Sequence, residues 1–463
     1  MAGWVTGQLA EYAARTRFED YPQEAIVKAK TLVLDNIGCM LGGSQSVLGR
    51  TMLNTIRRMG GVQEATLVGG GAKAPAIQAA LVNGTTANAL DFDDGMRGIG
   101  HPGSSVIPSA LAVGEWQHAS GRDVITAILT GYDVGNRIGV AIQPSRERYE
   151  NVWGVGTWQT FNAVAAAAKV LKLDLQQTLD AYGVAGATAP LPNTQKWGWD
   201  VEERPVHWVK EPTGWPCWTG TTAAVLAEQG FIGNHHILDG DDGFWIMAGS
   251  DRCDFDRMTQ DLGTDYEVDH ITIKPYPCCR WQHAALDAIG ELLQRHELRA
   301  RDVQDVIVHS VSWLKRQEVH HPLNVVDAQF SMPYSAAMVL LGIDPGPAWY
   351  TEERVANEAV QRLSERVKVT PDAELDRVLH EESRTSARVQ IITKGGQDLS
   401  AFVSVARGDP QRPLSQHEVE QKFVNQAANV LSDGEIEQAM STICGLDGLG
   451  DVADLMSQVS GRR

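Results

Sequence analysis

Residues 251–274 read DRCDFDRMTQDLGTDYEVDHITIK, and the character of the chain changes inside this stretch. Its first part, Asp251–Glu267, is polar and rich in Asp, with a glycine at Gly263, as a connection between domains would be. Its end, Val268–Lys274, mixes β-branched and polar residues at the period of a half-buried strand. The parts before and after this stretch therefore differ in character.

Before it the dominant period is helical. In Pro22–Met40, Ile26, Ala29, Val33, Ile37 and Met40 fall on one stripe behind a Pro in the first turn. Asp123–Ile142 repeats the pattern with Ile125, Ile128, Leu129, Tyr132 and Ile138. Further helices are expected over Ala76–Leu90, Pro108–His118, Trp158–Leu171, Gln176–Ala187 and Gly220–Gly230. After the boundary, strand-like runs at Val303–Trp313, Arg366–Thr370, Ala387–Ile392 and Ala401–Val405 alternate with helical patterns at His283–Arg295 and Ser331–Leu341. From Ser415 the spacing of Val419, Phe423, Ala427, Val430 and Leu431 is helical again. The expectation is a mainly α protein: a discontinuous all-helical domain, residues 1–267 and 409–463, with a smaller α+β domain, residues 268–408, inserted.

Composition limits the function classes. The 463 residues are too many for one ordinary core, and 43% apolar content is that of a packed globular chain. The 40 Lys and Arg against 58 Asp and Glu give a net charge of −18, with no basic stripe for a phosphate backbone, so no nucleic-acid partner is expected. The first residues, MAGWVTGQLAEYAARTRFEDYP, lack the basic and apolar regions of a signal peptide, and no run approaches the length of a membrane span. The six cysteines are scattered except for Cys278 and Cys279, which fits reduced thiols in the cytoplasm.

The densest polar cluster is residues 89–105, ALDFDDGMRGIGHPGSS. It combines three carboxylates (Asp91, Asp93, Asp94), one imidazole (His101), one guanidinium (Arg97) and glycines, between two expected helices. Glycine lets the backbone approach a ligand, and flanking helices hold a loop still. No second histidine stands at metal-ligand spacing, so no metal is assigned. Gly69–Lys73 lacks phosphate-loop spacing and reads as a turn, and Asp239–Gly243 lacks the glutamate that closes a calcium loop. Seven of the thirteen tryptophans lie between Trp153 and Trp218, which suits either an aromatic cleft lining or a core or interface.

The run NGTTANALDFDDGMRGIGHPGSSVIPSALAVGE, residues 83–115, closely resembles the signature of the MmgE/PrpD family, which includes 2-methylcitrate dehydratase, cis-aconitate decarboxylase and iminodisuccinate epimerase. Further similar runs are LDNIGCMLGG, TFNAVAAAAKVL, AVLAEQGFIG, KPYPCCRWQHAALDA and AQFSMPYSAAM, in family order across nearly the whole chain. The resemblance implies a homodimeric, cofactor-independent enzyme with its active site between a large helical domain and a smaller α+β domain. By position it assigns the catalytic aspartate to Asp91, the loop histidine to His101, and two lysines to Lys210 and Lys274, with His283 matching the histidine that opens the next helix.

Three positions depart from the family pattern. Gly95 replaces the loop threonine, Trp153 falls where decarboxylase-like members place a histidine, and Cys279 replaces the histidine five residues beyond the small-domain lysine. The expected chemistry is proton abstraction beside a carboxylate, which needs an acid or base together with cations. Asp91 and His101 would move the proton, Lys210 and Lys274 would hold anionic charge, and Arg280 and Arg97 are further carboxylate binders. Trp153, Cys279 and His283 complete the expected substrate contacts, and the partner is a small carboxylic acid. The reading is a dehydratase-type lyase, with an epimerase, a cis-aconitate-type decarboxylase and a catalytically silent binding protein as alternatives.

Overall fold

The computed structural model describes residues 4–194 and 213–461. Its first part is built of helices α1 (Val5–Arg15), α2 (Gln23–Ser44) and α3 (Val47–Met59), the hairpin β1 (Ala65–Leu67) and β2 (Ala72–Ala74), and helices α4 (Ala76–Asn88), α5 (Gly103–Trp116), α6 (Gly121–Ala141), α7 (Thr160–Val170), α8 (Leu175–Thr188) and α9 (Gly214–Glu228). The apolar stripe of α2 is buried along its whole length, from Ile26 to Met40. Capping boxes at Ser120/Asp123 and Asp174/Gln177 start α6 and α8 by satisfying amides that have no partner in the first turn. The central helix α7 buries six consecutive residues, Ala163–Ala168, and these small side chains let α5, α6 and α9 close around it. Gly69–Lys73 is the turn and second strand of the hairpin, with Gly69 and Gly71 at positive φ.

The second part contains α10 (His283–Arg295), β3 (Val303–Ser310), α11 (Met332–Leu340), β4 (Val367–Pro371), α12 (Ala373–Glu382), β5 (Ala387–Thr393) and β6 (Asp398–Val403). The four strands form one sheet in the order β4-β3-β5-β6; β4 runs parallel to β3, and the other pairs are antiparallel. Val303, Val306, Val308, Val389 and Ile391 point into the core, and α10 packs on β5 and β6. The chain then returns as α13 (Gln416–Ala427), α14 (Asp433–Cys444) and α15 (Ala453–Gln458), which pack on α2 and α5. The protein is therefore mainly helical, with a smaller α/β part. Among the described residues no helix is long and apolar enough to cross a membrane.

Two expectations are corrected. Val268–Lys274 is not a strand: a 3₁₀ turn covers Glu267–His270, and the rest makes one bridge, Thr272 to Gly95. Its alternation instead encodes burial of Val268, Ile271 and Ile273 in the helical core, since the segment meets a loop rather than a sheet edge. The second correction is α5, which starts at Gly103, five residues before the expected Pro108, and carries that proline inside it. Proline has no N–H for the carbonyl of Ser104, and the Cys217 thiol donates to that carbonyl at 3.2 Å.

Two large apolar cores result. One joins α2, α5, α6 and α7 to the C-terminal helices; the other fills the sheet and α10, and also takes in Cys39, Leu90 and Phe92. Leu90 and Phe92 flank Asp91, so the polar loop after α4 is anchored by its apolar residues in the core of the smaller part.

Candidate active site

The chain leaves α4 at Asn88 and turns through Asp91, whose φ of +52° lies in the left-handed region. Asp tolerates that conformation better than most side chains, and the turn is closed by the Asp91 amide donating to the Asn88 carbonyl at 2.9 Å. The loop then folds on itself, with Met96 bridging Gly100, and pairs with the segment leading to Lys274 through Gly95 and Thr272, at 2.8 and 2.9 Å. The Trp158 indole donates to the Ile99 carbonyl at 3.0 Å. At Gly100, with φ +100°, a Cβ would lie 2.4 Å from Val155.

This framework brings Asp91, His101 and Lys274 together, all buried. The Lys274 ammonium donates to Asp91 Oδ1 and to the Asp91 carbonyl, each at 3.0 Å. His101 Nε2 is 3.6 Å from Asp91 Oδ1, and its Nδ1 is 3.0 Å from Asp93 Oδ1. Asp93 also accepts from Asn88 Nδ2 at 3.0 Å and from the Ser104 hydroxyl. Burial opposes ionisation of Asp93, but the neighbouring His101 and Lys274 and the Ser104 hydroxyl outweigh it and hold the carboxyl below its usual range. An ionised Asp93 can only accept, so His101 Nδ1 carries a proton toward it, and the ring turns Nε2 to the Asp91 side. Asp94 behaves oppositely. Burial pushes its pKa up to about 7 even though the Tyr132 hydroxyl donates to it at 2.6 Å and the Gly103 amide at 2.9 Å.

Asp91, Asp93 and His101 also place carboxylate and imidazole atoms within 4.8 Å of one another, the spacing of a metal cage. Here the ammonium of Lys274 supplies the positive charge beside Asp91, while Asn88 and Ser104 donate to Asp93. That donor set suits proton transfer rather than an ion.

The remaining expected site residues are placed less uniformly. His283 is buried at the start of α10, its Nε2–H donating to the Cys278 carbonyl at 3.1 Å, with its ring edge-on to Tyr276. Burial, then Arg280 and Lys274, hold its pKa well below the ordinary value, so it is a neutral imidazole. Cys279 is buried in a small apolar cluster with Val326 and Phe330, against which Trp281 packs, and Gln317 donates to its sulfur at 3.3 Å. Arg280 donates to the Arg407 carbonyl at 3.4 Å and lies 3.5 Å from Asp409, so its guanidinium already has an acidic partner. Arg97 is exposed and donates to the Leu379 carbonyl of α12 at 3.5 Å, which ties the loop to that helix. Trp153 pairs through its backbone with Asn193, and its side chain lies outside the described residues, as does all of Lys210. Of the clustered tryptophans, Trp158 is a core residue, Trp218 packs on the core around Leu53 and Cys217, and Trp215 is half-exposed. For Trp158 and Trp218 the core reading applies. Trp197, Trp199 and Trp208 lie outside the described residues.

The residues not found from sequence are Asn88, Ser104, Tyr132, Asp35 and Lys422. Two of them carried a local signal: Lys422 stands on the buried stripe of α13 between Val419 and Phe423, and Asp35 follows Leu32, Val33 and Leu34 in α2. A charged residue at an apolar position needs a buried partner.

Comparison with known proteins covers nearly the whole chain. A cis-aconitate decarboxylase-like protein of Aspergillus oryzae is 23% identical over 99% of this chain and 98% of its own length. Cis-aconitate decarboxylase of Aspergillus terreus is 25% identical over 98% of this chain and 95% of its own, and that of Homo sapiens is 24% identical over 84% and 80%. The MmgE/PrpD N-terminal domain model matches residues 7–254 and the MmgE/PrpD C-terminal domain model matches residues 276–444. With one model on the helical part that carries Asp91 and His101 and the other beginning two residues after Lys274, the chain belongs to the MmgE/PrpD family.

Proposed function

We propose that the protein is a cofactor-independent lyase of the dehydratase type, acting on a hydroxy-carboxylic acid by proton abstraction next to a carboxylate. The observation that carries this reading is the buried Asp91–Lys274–His101 constellation. Removing a proton beside a carboxylate builds enolate-like charge, and a buried ammonium offsets that charge better in a dry site than in water. Asp91 and His101 are within reach of one proton path, with Asp93 holding the imidazole in one tautomer. In dehydration the base takes the proton, the C–O bond breaks, and the departing hydroxide leaves as water after receiving a proton from the acid.

Decarboxylation is the second reading, supported by the names of the relatives. It breaks a C–C bond but uses the same cation and the same proton donor. Against the unchanged decarboxylase reaction stand the loop glycine Gly95 and the apolar surroundings of Cys279, where polar donors are expected from the family pattern. The homodimer implied by the resemblance belongs to the same proposal and is tested by light scattering on the purified protein.

The deciding experiment is proton NMR in D₂O with a panel of hydroxy-di- and tricarboxylates, cis-aconitate and amino-dicarboxylates. Alkene formation from a hydroxy acid is the expected result. Carbon dioxide release from cis-aconitate would select decarboxylation, deuterium uptake without elimination would select epimerisation, and silence across the panel would overturn the enzyme reading.

A further inference from the structure

Asp91 and Phe92 are consecutive, and the carbonyl of each is capped by a lysine from a different part of the chain. Lys274 donates to the Asp91 carbonyl at 3.0 Å, and Lys422 of α13 donates to the Phe92 carbonyl at 2.5 Å. Lys422 is also 2.6 Å from Asp35 Oδ1 of α2, and its ammonium lies 4.0 Å above the Phe92 ring. Both charged side chains are buried: that of Asp35 has no exposure and that of Lys422 retains 5%. Burial lowers the tendency of Lys422 to hold its proton, but Asp35, Cys39 and Asp93 more than offset it and keep it charged.

A buried ion pair is a poor device for stability alone, because desolvating both charges cancels most of their attraction and apolar residues of the same volume serve as well. The Asp35–Lys422 pair does something an apolar pair cannot, which is to present a fixed donor to one carbonyl of a left-handed turn. That turn carries Asp91 and Asp93 on either side of Phe92, and both carboxylates must reach His101. Free rotation of the Phe92 peptide would separate them.

We propose that Lys422, held by Asp35, is a positioning residue for the reaction: it clamps the Phe92 carbonyl and so keeps the Asp91–Asp93 turn in the conformation that delivers both carboxylates to His101. The proposal rests on the proton-transfer reading above. Lys422 touches no reacting atom and acts only through the turn.

The test is the paired substitution Asp35→Asn with Lys422→Met in the full chain, which removes both charges together and leaves neither stranded. With the panel member that the wild type turns over, kcat is expected to fall about 100-fold, the scale of a misplaced catalytic group, with KM within about threefold. Hydrogen exchange is expected to quicken at the amides of residues 91–96 and not across α2 and α13. Unchanged kcat on folded enzyme with unchanged exchange at residues 91–96, or exchange raised throughout the molecule, would overturn the proposal and leave the pair a structural one. A wild type without turnover on any panel member would instead sink the proton-transfer reading, and the exchange measurement would then decide the clamp alone. Should the paired variant fail to fold, Lys422→Arg, which retains the charge and the donor, is expected to keep exchange at residues 91–96 slow; fast exchange there with wild-type kcat would overturn the clamp.

Discussion

The ammonium of Lys274 meets Asp91 twice, at the carboxylate and at the main-chain carbonyl, 3.0 Å in each case. One lysine therefore both neutralises the acid and holds the backbone turn that carries it. Because both groups are buried, each offsets part of the other's cost of leaving water.

That relationship predicts a non-additive stability effect. Lys274→Met alone removes a buried cationic partner of a buried carboxylate and is expected to cost about 3–5 kcal/mol, whereas the double variant Asp91→Asn/Lys274→Met lies closer to wild type than either single change. Urea unfolding of the four proteins measures the coupling; additive losses would mean that the two groups do not form a compensating pair.

Asp91→Asn and His101→Ala are each expected to lower kcat by about 10²–10⁴-fold while far-UV circular dichroism stays unchanged. Asp93→Asn, which removes the anion that orients His101 without removing either Asp91 or the imidazole, is expected to retain more activity than either. Equal activity of His101→Ala and wild type would remove the imidazole from the mechanism.

Asp94 links stability to pH. Its pKa is raised from 3.8 to about 7, so the folded state binds the proton more tightly than the unfolded state. Its ionisation therefore costs stability progressively as pH rises from about 4 to about 7, and the loss is complete above that. Asp94→Asn does not titrate, and its stability relative to wild type is expected to improve by roughly 2–3 kcal/mol between pH 5 and pH 8. Denaturant titrations at the two pH values give this difference directly, and a constant gap would contradict it.

Two substitutions near this turn, one in the loop and one at the start of α5, are expected to behave differently. A Cβ on Gly103 would sit 2.4–2.6 Å from the Asp94 carboxylate, so Gly103→Ala is expected to destabilise by about 1–3 kcal/mol and to reduce kcat. Arg97 is exposed and tied to α12, so Arg97→Ala is expected to keep kcat and KM within about twofold. A large rise in KM for Arg97→Ala would return that guanidinium to the substrate site.

Much of the fold was legible from local pattern. The stripe from Ile26 to Met40, the helix His283–Arg295 and the strand-like runs at residues 366–370 and 387–392 all match elements of the structure, because periodic burial is encoded at spacings of two to four residues. Where the same pattern misled, at Val268–Lys274, the alternation was real but no strand stood beside it. Pro108 misled for a related reason: the carbonyl it leaves unpaired is satisfied by Cys217, from a helix distant in sequence.

The sequence by itself determined the family, the mainly helical class and the polar loop with Asp91 and His101, since these reside in continuous motifs and short-range spacing. Only the tertiary structure decided that Lys274, 183 residues away, caps Asp91, that Lys422, 330 residues from Phe92, donates to the next carbonyl, and that Arg97 meets the Leu379 carbonyl and Arg280 meets Asp409. Those pairings follow from how two cores close on each other around Leu90 and Phe92. A buried charge must find its partner wherever packing brings one, and that position has no period along the chain.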